Sequence, residues 1–132
     1  MSTKIVIAFA AAAVWLINGT SAMAHHSVNA EFDTTKEFTI TGVLTKIDNV
    51  NPHSWWYVEV KADDGKITQW KLESVGPGGL VRQGLRLKDD LKMGQEYMFK
   101  IAPGWKDDPS GVKIGFMKTI TVNGKLYTMT PL

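Results

Sequence analysis

The stretch from Trp55 to Glu73 constrains the fold most, because its side chains alternate on both sides of a turn and only one register keeps the halves consistent. Trp56, Val58 and Val60 alternate with Trp55, Tyr57 and Glu59; Asp63-Asp64-Gly65 then interrupts the run before a second alternating segment, Lys66 to Glu73. Side chains on a strand point to opposite faces with period two, so a hairpin has to set buried residues against buried ones. A two-residue turn at Asp64-Gly65 would oppose Val60 and Gln69. A three-residue turn, type I closed by Gly65 in the left-handed region, opposes Val58 to Trp70 and Trp56 to Leu72. The second choice puts Trp56, Val58, Trp70 and Leu72 in a core. It leaves Trp55, Tyr57, Gln69, Lys71 and Glu73 together on the other face.

The same reading places a long first strand from Phe38 to about Ile47. Its apolar parity flips from even (Phe38, Ile40) to odd (Val43, Ile47) at Gly42, where a bulge is expected. Tyr97, Phe99 and Ile101 mark a fourth strand, and Phe116, Ile120 and Val122 a fifth. Asn123-Gly124 is a two-residue hairpin turn into a last strand, Lys125 to Thr128. Between the third and fourth strands, Pro77 suits a helix start and Gly84 its end, which predicts a short helix followed by a loop from Leu85 to Met93. A polar loop, Pro103 to Lys113, joins the fourth and fifth strands. A coiled first strand, a tight hairpin, a short helix and a long loop in that order predict a mainly β fold, a small OB-like barrel of five to six strands, with a small β-sandwich as the alternative.

Ahead of this domain the sequence reads as an export signal. Lys4 precedes 13 unbroken apolar residues, Ile5 to Ile17, then a polar stretch and the small-x-small pattern Ala22-Met23-Ala24. The apolar run falls short of the roughly 20 residues that span a bilayer. Residues 1–24 are therefore expected to be a cleaved secretory signal peptide, residues 25–132 a single OB-like domain, and the location periplasmic. Loss of Lys4 leaves 14 Lys and Arg against 13 Asp and Glu, spread without blocks. That balance argues against nucleic acid or a polybasic membrane contact. Cysteine is absent, which removes disulfides, thiolate metal sites and cysteine nucleophiles.

Ala24-His25-His26-Ser27, Glu31-Phe32-Asp33, Thr41-Gly42-Val43, Asn51-Pro52-His53 and Val58-Glu59-Val60 together resemble a family of small exported bacterial proteins known as domain of unknown function 6152. The similarity spans nearly the whole of the mature chain. It implies an exported OB-like domain and carries no activity with it. Val75-Gly76-Pro77-Gly78-Gly79 departs from the family's Ser-Pro-Asn type of helix start.

Three functional readings follow from the residues. In the first, His25, freed as the N-terminal residue, chelates copper(II) through its amine and imidazole, and His53 or His26 adds a further nitrogen. Pro52 stiffens the loop that holds His53, and Asn51 and Ser54 are positioned to orient its ring. Met98 and Met117 stand on neighbouring strands as thioether candidates for copper(I), or as ordinary packing residues. In the second, a metal-free binding module uses Trp55, Tyr57, Lys71 and Glu73 to hold a glycan, a peptide or another exported protein. In the third, a copper site oxidises a substrate beside Trp55 or Tyr57. No Ser-His-Asp order, phosphate loop or helical metal motif is present, so no catalytic residue is assigned and a binding role is expected over an enzymatic one. The acidic pairs Asp63-Asp64, Asp89-Asp90 and Asp107-Asp108 read as turn residues.

Overall fold

The computed structural model describes residues 28–50 and 52–129. The chain divides into two compact units, Met1–Ala30 and Glu31–Leu132. In the first, residues 28–30 are helical; the expected signal peptide, His25 and His26 lie outside the described residues. In the second, the elements are β1 (Phe38–Val50), β2 (His53–Lys61), β3 (Ile67–Val75), α1 (Pro77–Arg82), α2 (Leu87–Asp90), β4 (Glu96–Pro103), β5 (Lys113–Val122) and β6 (Lys125–Thr128). None of the described helices is long and apolar enough to cross a membrane.

The strands hydrogen-bond in the order β3-β2-β1-β4-β5-β6, and β3 also pairs with β5. That parallel pairing, from Trp70 opposite Lys113 to Glu73 opposite Phe116, closes five strands into a barrel. β6 continues the sheet beyond Thr119 as an added strand. The OB-like barrel expected from the element order is what forms, and the sandwich alternative is not.

The β2–β3 hairpin has the register that its faces demand. Trp56 lies opposite Leu72 and Val58 opposite Trp70. The turn is closed by Gly65 at φ 84°, with its N–H on the carbonyl of Ala62 at 2.9 Å. Trp56, Val58 and Leu72 are fully buried with Leu44, Phe99, Ile101, Met117 and Ile120. Trp70 is only partly buried; it sits toward one end of the barrel, edge-on to Phe38 with ring centroids 5.9 Å apart. Asn123 and Gly124, both at positive φ, make the tight turn into β6.

Three expectations need correction. The parity flip in β1 occurs at Thr45, the extra residue between the pairs Leu44–Val58 and Lys46–Tyr57, and not at Gly42. Leu44 is the core residue and Val43 is not. The segment Leu85 to Met93 is more than a loop, because Leu87–Asp90 forms a four-residue helix in addition to α1, anchored by buried Leu85 and Leu91. β1 and β3 also run further than expected, to Val50 and Val75.

Two buried serines face each other across β2 and β3, Ser54 opposite Ser74. The Ser54 hydroxyl donates to the Val75 carbonyl (2.7 Å) and accepts from Trp56 Nε1 (2.8 Å). Ser74 Oγ has no hydrogen-bond partner among the described residues. A buried donor left unpaired costs about 1–3 kcal/mol, whereas removing a group that is already unpaired costs nothing of that kind. Ser54→Ala is therefore expected to lose about 1–3 kcal/mol in denaturant unfolding, and Ser74→Ala to be neutral or stabilising. The opposite ranking would contradict the bonding pattern around Trp56.

Candidate functional site

The outward residues of β2 and β3 form one continuous strip. Trp55 stands opposite Glu73 and Tyr57 opposite Lys71. β1 extends the strip, with Asp48 opposite Trp55 and Lys46 opposite Tyr57. The register thus brings together all four residues expected to bind a ligand, Trp55, Tyr57, Lys71 and Glu73. The β1–β2 loop lies at one end of the strip and the β4–β5 loop reaches the other, since Asp108 of that loop acts electrostatically on both Tyr57 and Lys71.

Cations of the chain itself lie over the two rings. The Lys71 ammonium is 4.5 Å from the Trp55 ring centroid and 6.0 Å from that of Tyr57. Lys46 lies 5.1 Å from the Tyr57 centroid and bridges to Asp48 at 2.8 Å. These contacts fall within the range at which a ring quadrupole attracts a cation. The Asp48 carboxyl is held below its usual range by the Lys46 hydrogen bond and charge. Burial, the charge of Asp48 and a hydrogen bond to it push the Tyr57 phenol up. Both rings are half-buried rather than free.

His53 and Glu73 form the other part of the site. His53 Nδ1 meets Glu73 Oε1 at 2.5 Å, with the imidazole half exposed and the carboxylate buried. The contact is diagonal across the hairpin, because His53 opposes Val75 and Trp55 opposes Glu73. Burial pushes the Glu73 carboxyl up, as does the charge of Glu31, against the opposing pull of His53. Glu73 shares the outer face of the hairpin with Trp55 and Tyr57, as expected, and is buried there. Ser54 does not orient His53: its hydroxyl points into the barrel toward Trp56 and Val75, and Glu73 takes the orienting role. Asn51 lies outside the described residues.

The stretch before β1 reaches this corner from the β4–β5 side. Phe32 pairs with Gly104 and packs on Phe116 with centroids 5.5 Å apart. Asp33 donates its N–H to the Pro103 carbonyl (2.8 Å), and Trp105 donates to the Glu31 carbonyl (3.0 Å). Asp33 itself is buried, and its carboxyl is lowered chiefly by the Thr35 hydroxyl at 2.6 Å. These contacts hold Glu31 near Glu73 and leave Trp55 and Tyr57 bordered by β1 on one side and β3 on the other.

The proposed methionine pair does not form. Met117 is fully buried opposite Ile101, whereas Met98 is half exposed opposite Thr121. They occupy opposite faces of the sheet. Among the described residues, no three histidine, aspartate or glutamate side chains converge on a point that would hold a metal ion.

A family model described as Family of unknown function (DUF6152) matches residues 13–114, more than half of the chain. The chain belongs to this family. The DUF6152 match covers every residue of the strip, from Lys46 and Asp48 through the hairpin to Asp108, and stops at the start of β5. No curated protein matches the chain.

Lys46 and Asp48 belong to the site and have no role in the sequence reading, which takes Asp108, also at the site, as a turn residue and Glu31 as part of the Glu31-Phe32-Asp33 run. The signal for the first two was present: Lys46 and Asp48 alternate with Ile47, and once the bulge is placed at Thr45 they must face outward.

Proposed function

We propose that this protein is an exported binding module that holds its ligand on the outer strip of β2 and β3. The observation that carries the reading is the gathering of Trp55, Tyr57, Lys71 and Glu73 on that strip, with a loop at each end. This is the surface on which OB-type barrels bind. Flat aromatic side chains provide contact area at low entropic cost, and the polar groups beside them fix orientation. The near-neutral charge of the domain and the carboxylates around the strip disfavour nucleic acid. A glycan, a peptide or another exported protein remains as the ligand class.

A second reading, copper(II) binding, draws on the His53–Glu73 contact. A ligating histidine commonly gives its other ring nitrogen to a carboxylate, which fixes the ring and raises its basicity. Glu73 holds Nδ1 in this way and leaves Nε2 for a ligand. His25 and His26 are the further donors that the reading needs. Copper-dependent oxidation depends on the same site and is the weaker extension of it.

Heteronuclear NMR titration separates the readings. At least one of spermidine, cellohexaose and a short mixed-sequence peptide is expected to shift amide signals of Trp55, Tyr57, Gln69 and Lys71, while Met98 and Lys100 on the far side of the barrel stay unchanged. Copper(II) that broadens His53 first and loses most of its affinity in His53→Ala would favour the metal reading. Shifts confined to the far side with every probe would overturn both.

A further inference from the structure

We propose that the ligand of the β2–β3 strip is an organic cation, an ammonium or guanidinium group, and that Lys71 occupies its place when no ligand is bound. The inference deepens the binding-module reading and rests on it. Its first ground is the arrangement of rings and ammonium groups. Trp55 and Tyr57 present electron-rich faces, and the Lys71 ammonium lies between them, 4.5 Å from one centroid and 6.0 Å from the other. That is the geometry in which aromatic side chains hold a cation. Lys71 is carried on a long flexible stem from the middle of β3, so its ammonium leaves the rings by side-chain rotation alone. The backbone and the β2–β3 ladder need not move.

The second ground is what the strip otherwise offers a visitor. Asp48, Glu59, Glu73 and Asp108 stand around the rings against Lys46 and Lys71; Lys46 and Asp48 are committed to each other at 2.8 Å, and Glu73 to His53. Glu59 accepts from the Gln69 amide at 2.9 Å and retains its second oxygen. When the imidazole of His53 is neutral and Nδ1–H donates to Glu73, its Nε2 is an acceptor as well. Carboxylates, ring faces and an imidazole acceptor all favour a ligand that is positively charged and rich in N–H donors. An anionic ligand would meet these carboxylates, and a neutral sugar would leave the cation seats to Lys71.

Two sources carry such a group: a free polyamine, or a basic side chain on a peptide. Purified protein is titrated at low ionic strength, where screening is least, with spermidine, with an acetylated and amidated Gly-Arg-Gly-Lys peptide, with neutral cellohexaose and with an anionic Gly-Asp-Gly-Glu peptide. Binding is read from the Trp55 indole and Tyr57 amide signals. The expected result is response to one or both cationic probes and not to the others, with the better of the two identifying the source. Lys71→Met, which removes the internal competitor at Trp55 and leaves Lys46 over Tyr57, is expected to bind that probe roughly fivefold more tightly, the factor equivalent to one exposed cation–ring contact. Lys71→Arg restores the competitor and should return to the wild-type value.

Response to cellohexaose or the acidic peptide alone would overturn the cation inference and keep the binding strip. Equal or weaker cation binding by Lys71→Met, in a protein whose spectrum shows it folded, would overturn the role of Lys71. No response at Trp55 or Tyr57 to any probe would remove the binding-module reading and this inference with it.

Discussion

Replacing Trp56 with alanine is expected to destabilise the barrel by about 3–5 kcal/mol, a large fraction of the stability of a domain of this size. Trp56 is fully buried and is the largest side chain of the core. Its removal leaves a cavity between the β2–β3 hairpin and the opposite wall, where Phe99, Ile101 and Met117 are already fixed in the closed sheet. It also strips the Ser54 hydroxyl of the indole N–H that it accepts at 2.8 Å. A barrel closed by ladder pairing collapses little into such a void. Trp70→Ala should cost less, because Trp70 is only partly buried against Phe38. Urea midpoints of the two variants, with unfolding slopes unchanged, test the ranking; a larger loss for Trp70 would place the centre of the core toward the wrong end of the barrel.

The second large effect is expected at Gly42, where alanine should cost roughly 3 kcal/mol, at the upper end of ordinary overpacking. A Cβ built on Gly42 would lie 2.6 Å from Val58 Cγ1 and 2.7 Å from the Glu59 carbonyl oxygen. The second contact is with backbone that belongs to the β2–β3 ladder, so it cannot be relieved by a rotamer change. At Gly42, β1 approaches β2 too closely for a side chain, and the hydrogen side chain is what permits that approach. Gly78→Ala in α1 is the control: its Cβ meets only the Arg82 guanidinium at 3.8 Å. There the helical preference for alanine should raise stability slightly. Denaturant midpoints that moved alike in the two variants would contradict the close approach.

The hairpin was legible in the sequence because two alternating runs and one glycine leave a single consistent register. That register already implied which residues share the outer strip. The position of the bulge in β1 was less legible, since Val43 and Leu44 are adjacent and equally apolar and either fits the core. Gly42 drew the flip toward itself, yet its requirement is a close approach to β2 and the extra residue is Thr45. With the bulge misplaced by three residues, Lys46 and Asp48 had no assigned face and were left out of the site. The His53–Glu73 contact was derivable from the predicted register as a diagonal pair, but Glu73 is buried beside Phe116 in the β3–β5 pairing, which links segments far apart in sequence. Asp108 lies in a loop with no periodicity to read.

The measurement that bears most directly on the binding strip is stability and ligand response determined on the same Trp55→Ala protein. Trp55 is half-buried and its ring contacts Lys71 from outside the barrel, so its loss should cost no more than about 1 kcal/mol. The urea midpoint should stay close to wild type while the response of Tyr57 and Lys71 amides to the better of spermidine and the Gly-Arg-Gly-Lys peptide disappears. Full retention of that response in a stably folded Trp55→Ala protein would contradict the account, as would unfolding on the scale expected for Trp56→Ala.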